Sequence, residues 1–177
     1  HRGFGAWAEL LWEDVSYALQ TLGPKADRIV FCGHSAGGAA SNLLAVKAAP
    51  YLSRIGGQKP WIVTFGSPMV GTYLFTRRVK KLAHHIRVTN NNDPVPHVPL
   101  WPLYIHAKAT RYHICADGEV IKNPTMTTLL WDVPKGVLHF TLSFLKEAIR
   151  QRSILMVVIN SMKLGDHFIK NYKGYFR

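Results

Sequence analysis

The chain has 177 residues, of which 47% are hydrophobic, and its formal net charge is +12 at pH 7. This size suits one domain with its own core, and no apolar run reaches the roughly 18 residues of a membrane-spanning helix. Two cysteines, Cys32 and Cys115, are too few for a disulfide framework. Both lie in apolar, strand-like runs, so we expect buried free thiols, which favour a reducing compartment.

Helical and strand patterns alternate along the first half of the chain. Apolar residues recur at helical spacing from Phe4 to Leu22, and Gly23-Pro24 is expected to end that helix with a left-handed cap. "RIVFC" (28–32) predicts a buried strand, and the small-residue helix after it is expected to end at Pro50. Further strands are predicted at 61–68 and 85–90. Strands alternating with helices predict an α/β fold with a parallel sheet.

The second half of the chain has a different pattern. "TRYHICADGEVIK" has Asp117-Gly118 between two strand-like arms, which predicts a short hairpin. A helix is expected over about 136–152, followed by a polar, aromatic tail. Because no linker, repeat or low-complexity tract separates these parts, residues 1–177 are predicted to form a single domain.

Basic residues are concentrated in "RRVKK" (77–81) and in the last third of the chain. Such charge indicates either solvated faces or attraction to a polyanion. Because the sequence contains no zinc finger, RNP motif or long basic helix, no nucleic-acid partner is expected. An anionic lipid surface is the remaining candidate.

The segment "GHSAG" places Ser35 directly between the predicted strand and the small-residue helix. A serine on such a sharp turn presents its hydroxyl at the carboxyl edge of a parallel sheet. Gly33 and Gly37, two positions away on either side, are expected to let the chain segments pass without a Cβ clash. His34 completes the turn, and the N–H of Ala36 at the helix N-terminus is expected to bind an oxyanion.

A serine nucleophile needs a histidine base and an orienting carboxylate. In this architecture the acid follows the serine along the chain, and the histidine follows the acid. Asp93 is the best acid, because it directly follows a strand and precedes the stiffening Pro94-Val95-Pro96. Five histidines come after it: His97, His106, His113, His139 and His167. His113 is expected to point out of its hairpin strand. The residues alone leave His139 and His167 as equal candidates for the base.

Six blocks in order resemble the class 3, fungal-type triacylglycerol lipases. They are "HRGF", "GHSAGGAASNLLA", "VTFGSPMVG", "RVTNNNDPVPHVP", "YIHAKATRYHI" and "DHFIKNY". The resemblance implies an α/β-hydrolase fold, with a mostly parallel central sheet and helices on both faces. It implies Ser35 as nucleophile, Asp93 as acid and His167, rather than His139, as base. It also implies that a second oxyanion donor, a lid helix and the first strands precede His1, so that the domain is N-terminally truncated here.

The function implied is hydrolysis of lipid carboxylic esters, acylglycerols or phospholipids, through a Ser-Asp-His triad and an acyl-enzyme. Neither a metal nor another cofactor is expected, because the triad needs none. The alternatives are an esterase for non-lipid substrates and a non-catalytic interaction module on the same scaffold. The partners expected are the lipid ester and an anionic membrane surface, and the location expected is intracellular and membrane-peripheral. The sequence does not predict an oligomeric state.

Overall fold

The computed structural model describes residues 2–91, 93–99, 103–125 and 127–129. The chain divides into two compact units, of which the first is His1–Val88 with Val95–Thr110 and the second is Thr89–Pro94 with Arg111–Arg177. The predicted helix at 136–152 and the tail after it lie outside the described residues.

Three parallel strands and four helices build most of the first unit. The strands are β1 (Val30–His34), β2 (Trp61–Phe65) and β3 (His84–Asn90), whose last two residues belong to the second unit. The helices are α1 (Arg2–Leu10), α2 (Trp12–Leu22), α3 (Ala36–Arg54) and α4 (Tyr73–Leu82), and short 3-10 turns lie at Gly23–Lys25 and Val95–His97.

The strands pair in a register that brings their carboxyl ends to one edge. β1 pairs with β2 from Val30↔Trp61 to His34↔Phe65, and β2 pairs with β3 from Trp61↔His84 to Phe65↔Val88. The residues that follow β1 and β2 therefore emerge at the same edge, which is where open α/β sheets carry their ligands.

Helix α3 lies at the centre of the packing. Ala45 and Val46 pack in one cluster with Ile62 of β2 and Val79 of α4. A ridge of residues four apart on α3, namely Ala40, Leu44, Ala48 and Leu52, packs against α1 and α2. Because α1 and α2 both pack on this ridge, they fix the position of α3. The position of α3 in turn fixes the turn at Ser35, directly before its first residue.

The predicted helix from Phe4 to Leu22 is interrupted at Leu11. Backbone bonds from Leu11 N to Trp7 O and from Val15 N to Leu11 O, both 3.1 Å, bridge the interruption. The left-handed cap expected at Gly23 is wrong, since this residue has φ −54° and ψ −44°. The chain continues into a 3-10 turn, in which the missing N–H of Pro24 costs nothing.

Two further predictions about local structure are wrong. Helix α3 continues past Pro50 to Arg54, because Leu52, 2% exposed, packs with Leu19 and Ala48 and its burial offsets the lost backbone bond. Strand β1 is not fully buried, since Val30 is 54% exposed and Cys32 is exposed. Only Cys115 is the buried thiol expected.

In the second unit, β4 (Thr110–Ile114) and β5 (Val120–Lys122) form the predicted antiparallel hairpin. Its loop is longer than a two-residue turn, because Gly118 N bonds Cys115 O at 2.9 Å and Cys115 N bonds Glu119 O at 2.8 Å. Gly118 supplies the positive φ, 90°, that this three-residue loop requires.

Candidate functional site

Ser35 is the single residue between β1 and α3, and its backbone is strained. Its φ is 55° and its ψ is −127°, a conformation that residues with a side chain rarely adopt. The turn is fixed by hydrogen bonds on both sides. Ser35 N donates to Phe65 O of β2 at 2.9 Å, and Ser35 O accepts from Gly38 N of α3 at 2.9 Å. These bonds to β2 and α3 hold Ser35 in a conformation that belongs to neither the strand nor the helix.

The two glycines that this turn needs for space are Gly33 and Gly38. A Cβ on Gly33 would lie 2.3 Å from the carbonyl carbon and oxygen of Gly37. A Cβ on Gly38 would lie 2.7 Å from Cβ of Ser67, in the loop after β2. Nothing lies within 4 Å of a Cβ on Gly37. The steric role predicted for Gly37 is therefore wrong, because its own backbone is the obstacle that Gly33 must clear.

The N-terminus of α3 begins at Ala36, one residue after the serine. The first N–H groups of a helix have no carbonyl one turn earlier, so that of Ala36 is suited to bind an anion. His34, the last residue of β1, is half-buried and pairs in register with Phe65.

Asp93 lies in the loop after β3 and is 1% exposed. Its N–H donates to Asn90 O at 2.9 Å, which closes the loop at the end of the strand. The neighbouring Asn91 has φ 42° and its N–H bonds to Ile114 O of β4. A buried carboxylate at the end of a strand fits the setting predicted for the acid. Asp93 belongs to the second unit and Ser35 to the first.

The three described histidines that follow Asp93 in the chain occupy different settings. His97 is exposed in the 3-10 turn, and Nε2 of His106 is 2.7 Å from Pro96 O. His113 is 4% exposed, and its Nδ1 lies 3.0 Å from Oγ1 of Thr89. The outward orientation predicted for His113 is therefore wrong, because this face of β4 is covered. His139 and His167 lie outside the described residues.

The sequence interpretation did not identify a group of polar side chains that lines a small cavity in the first unit. Its members are Asn42 of α3, Thr64 of β2, Ser67, Thr76 of α4, His85 and Arg87 of β3, and His106. Burial, and then the Arg87 charge, lower the pKa of His85 to about 4 and that of His106 to about 3. The signal in the sequence was the pair of polar residues, His85 and Arg87, at alternate positions of a strand, on either side of the apolar Ile86.

Neither a metal site nor a membrane span is found within the described part of the chain. No three His, Cys, Asp or Glu side chains there come together as ligands. No helix among the same residues combines the length and apolar character needed to cross a bilayer.

Comparison with known proteins gives consistent likenesses. The family model described as Lipase (class 3) matches residues 1–103. The chain is 38% identical over 123 residues to "Secreted mono- and diacylglycerol lipase 1" of Fusarium solani, covering 67% of this chain and 34% of that protein. It therefore spans about a third of that relative's length.

Two solved structures share the fold. A lipase from Rhizopus microsporus var. chinensis has a TM-score of 0.63 and 25% identity, covering 76% of this chain and 50% of that one. A triacylglycerol lipase whose catalytic centre is described as a serine protease triad has a TM-score of 0.59 and 26% identity, covering 69% and 48%. These likenesses confirm the predicted α/β-hydrolase fold with its mostly parallel sheet.

Proposed function

The chain belongs to the class 3 lipase family, and we propose that it carries the catalytic residues of a serine hydrolase that cleaves carboxylic esters of lipids. The observation that carries this proposal is the strained backbone of Ser35, with φ 55° and ψ −127°, between β1 and α3. Strain of this kind costs on the order of 1–3 kcal/mol and persists where a function requires the side chain to be presented.

The proposed nucleophile is the Ser35 hydroxyl, with His167 as its base and Asp93 as the orienting acid. His167 takes the hydroxyl proton as Ser35 Oγ forms a bond to the ester carbonyl carbon. The Asp93 carboxylate holds the imidazole and stabilises its cation. Two observations support these assignments: the burial of Asp93 and the serine protease triad of the similar triacylglycerol lipase.

The Ala36 N–H is proposed to donate to the oxyanion of the tetrahedral intermediate. Its place at the start of the 19-residue α3 adds the helix dipole to this hydrogen bond. Collapse of the intermediate breaks the bond to the alcohol, which takes the proton from His167 and leaves the acyl group on Ser35. A water deprotonated by His167 then releases the carboxylic acid and regenerates the serine.

The proposed substrates are acylglycerols or phospholipids. Support for an acylglycerol comes from the fungal relative, whose name specifies mono- and diacylglycerols. Peripheral contact with an anionic membrane surface is proposed as well, on the four cations of residues 77–81. The single domain and the intracellular, membrane-peripheral location stay predictions.

Labelling by a fluorophosphonate probe tests the nucleophile. The full-length protein is expected to form a covalent adduct, and Ser35→Ala is expected to abolish it. Ser53→Ala is the matched control, because Ser53 is an exposed serine on the same helix, and it should label normally. Labelling that survives Ser35→Ala would show that the nucleophile is another residue, and a wild-type protein that never labels would favour the non-catalytic alternative.

A panel of esters tests the substrate class. Hydrolysis of acylglycerol and phospholipid esters is expected to exceed that of short water-soluble esters with bulky aromatic acids. The reverse order of kcat/KM would favour an esterase for non-lipid substrates on the same fold.

A further inference from the structure

Helix α4 has one face in the core and one face in solvent. Val79 is 0% exposed and packs with Ala45, Val46 and Ile62, while Phe75 and Leu82 pack against the same cluster. The opposite face is exposed along its whole length. It consists of Tyr73, Leu74, Arg77, Arg78, Lys80 and Lys81, which we call the α4 basic face.

Within the described part of the chain, no carboxylate pairs with the cations of this face. None of the four makes an ion pair with another described residue, and residues 28–92 include no Asp or Glu at all. The exposed Lys108 adds a fifth positive charge at the open groove of about 870 Å³ beside α4. Because no described residue lining this groove is acidic, its five cations attract anions strongly.

Two exposed apolar side chains adjoin the cations at the start of α4. Tyr73 is 63% exposed and Leu74 is 70% exposed. The guanidinium of Arg77 lies 5.9 Å from the centre of the Tyr73 ring. Helices that lie in the interface of a bilayer have this pattern, in which aromatic, aliphatic and basic residues share one face.

The start of α4 lies at the functionally important edge of the sheet. α4 follows β2 through the loop at 66–72, so its first turn leaves the carboxyl edge of the parallel strands. Ser35 follows β1 at that same edge. Tyr73 and Leu74 therefore lie at the end of α4 that is at the carboxyl edge, the edge where Ser35 lies. Lys80 and Lys81 lie at the opposite end of the helix.

We propose that the α4 basic face binds the surface of a bilayer that contains anionic phospholipid. Arg77, Arg78, Lys80 and Lys81 contact the headgroup phosphates, and Tyr73 and Leu74 lie among the headgroups at the Ser35 end. Bound in this way, α4 lies along the bilayer and the carboxyl edge, where α4 begins, lies beside the lipid. That orientation rests on the proposed function, whereas the binding itself does not. The exposed Leu74 beside the cations favours a membrane over a nucleic acid, because a nucleic acid has no apolar layer for an aliphatic side chain.

Vesicle sedimentation tests the surface in a Ser35→Ala background, so that no lipid is hydrolysed. The full-length protein is expected to bind vesicles of phosphatidylcholine with about 30% phosphatidylserine, and to bind pure phosphatidylcholine far more weakly. Arg78→Gln/Lys81→Gln should weaken binding to the anionic vesicles about 30-fold, since each basic residue near such a surface is worth roughly fivefold.

The matched control is Lys25→Gln/Arg28→Gln. It removes the same charge from exposed positions in the segment between α2 and β1, and it should change binding less than about threefold. Thermal denaturation checks that each variant is folded. Equal weakening by the two pairs would mean that net charge alone acts, and would overturn the site.

Tyr73→Ser/Leu74→Ser tests the apolar part of the face. It should weaken binding about tenfold and leave the residual binding more sensitive to salt, because only the electrostatic attraction then remains. Binding to single-stranded RNA but not to either vesicle would overturn the proposal in favour of a nucleic-acid surface. Vesicle binding without fluorophosphonate labelling of wild type would refute the proposed serine hydrolase alone, and labelling without vesicle binding would refute the membrane contact alone.

Discussion

The strained conformation of Ser35 depends on two residues that have no side chain. The Ser35 turn brings the backbone of Gly37 against Gly33, and the first turn of α3 brings Gly38 against Ser67. Ser67 is 2% exposed, and its Oγ donates to Pro68 O at 3.1 Å. Neither partner of these glycines can move away cheaply, since one is backbone and the other is a buried, bonded side chain.

Alanine substitutions at the three glycines should therefore differ. Gly33→Ala is expected to lower the free energy of unfolding by about 3 kcal/mol, because the clash is with backbone. Gly38→Ala should cost about 1–3 kcal/mol, because the Ser67 side chain must shift. Gly37→Ala should stay within about 1 kcal/mol of wild type, on the stabilising side, since alanine is the better helix former.

Denaturant unfolding of the full-length variants measures these differences. Fluorophosphonate labelling of the folded fraction should be slowed in Gly33→Ala, where the clash displaces the serine. A Gly37→Ala variant as unstable as Gly33→Ala would contradict the spatial role assigned to these residues.

At the scale of elements, β3 turns His85 and Arg87 toward the polar cavity of the first unit. His85 is 8% exposed and its Nε2 lies 3.4 Å from Oγ1 of Thr64, while its Nδ1 has no hydrogen-bond partner among the described residues. Arg87 follows on the same face of the strand. A protonated imidazole beside this guanidinium would be doubly unfavourable, from burial and from like charge.

The unfolding free energy should consequently fall as the solution is acidified. The folded-state pKa values, about 4 for His85 and about 3 for His106, lie below the ordinary value of 6.5. At pH values between the folded-state pKa and 6.5, the unfolded chain binds protons that the native state does not. The contribution of these neutral histidines to the free energy of unfolding is therefore complete above about pH 6.5 and is lost as the pH falls. Between pH 7 and pH 5 the expected loss is about 1–2 kcal/mol per histidine.

Denaturant unfolding at pH 7, 6 and 5 measures this slope. His85→Gln is expected to remove its share of the pH dependence and flatten the curve. A His85→Gln protein whose stability falls with pH as steeply as wild type would contradict the neutral, buried state of His85.

The strands and the nucleophile turn could be predicted from the sequence because their signals are local. "RIVFC" and "WIVTF" are apolar runs of strand length, "HIRVTN" contains three β-branched residues, and "GHSAG" between a strand pattern and a helix pattern marks the turn. What could not be predicted depends on tertiary contacts. The passage of α3 through Pro50 depends on the burial of Leu52 against α2, and the burial of His113 depends on what covers β4.

The same limit applies to the candidate site. The sequence does not distinguish the steric roles of Gly37 and Gly38. Only the path of the loop after β2 shows that Gly38 is the glycine that packs against Ser67. The exposure of Cys32 depends likewise on which face of β1 is covered. A local pattern predicts which residue turns the chain, whereas the neighbours that it meets there depend on segments distant in sequence.

At the scale of the whole molecule, the proposed triad draws on residues spread from position 35 to position 167. If Ser35, Asp93 and His167 act as one unit, the loss of any member removes most of what the others contribute. Their substitutions should then be far from additive, whereas three independent residues would multiply their effects.

Ser35→Ala and His167→Ala should each lower kcat on a soluble ester by at least about 10⁴-fold, and the double variant should be no worse than either single one. Asp93→Asn should lower kcat by about 10²–10⁴-fold with little change in KM, because the isosteric amide keeps its packing and loses the negative charge that stabilises the imidazolium.

His139→Ala is the decisive comparison, since the residues alone left His139 and His167 as equal candidates. It should retain kcat within a few fold. A His139→Ala protein as inactive as Ser35→Ala, beside an active His167→Ala, would move the base to position 139, and multiplicative losses in the double variant would refute a triad that acts as a unit.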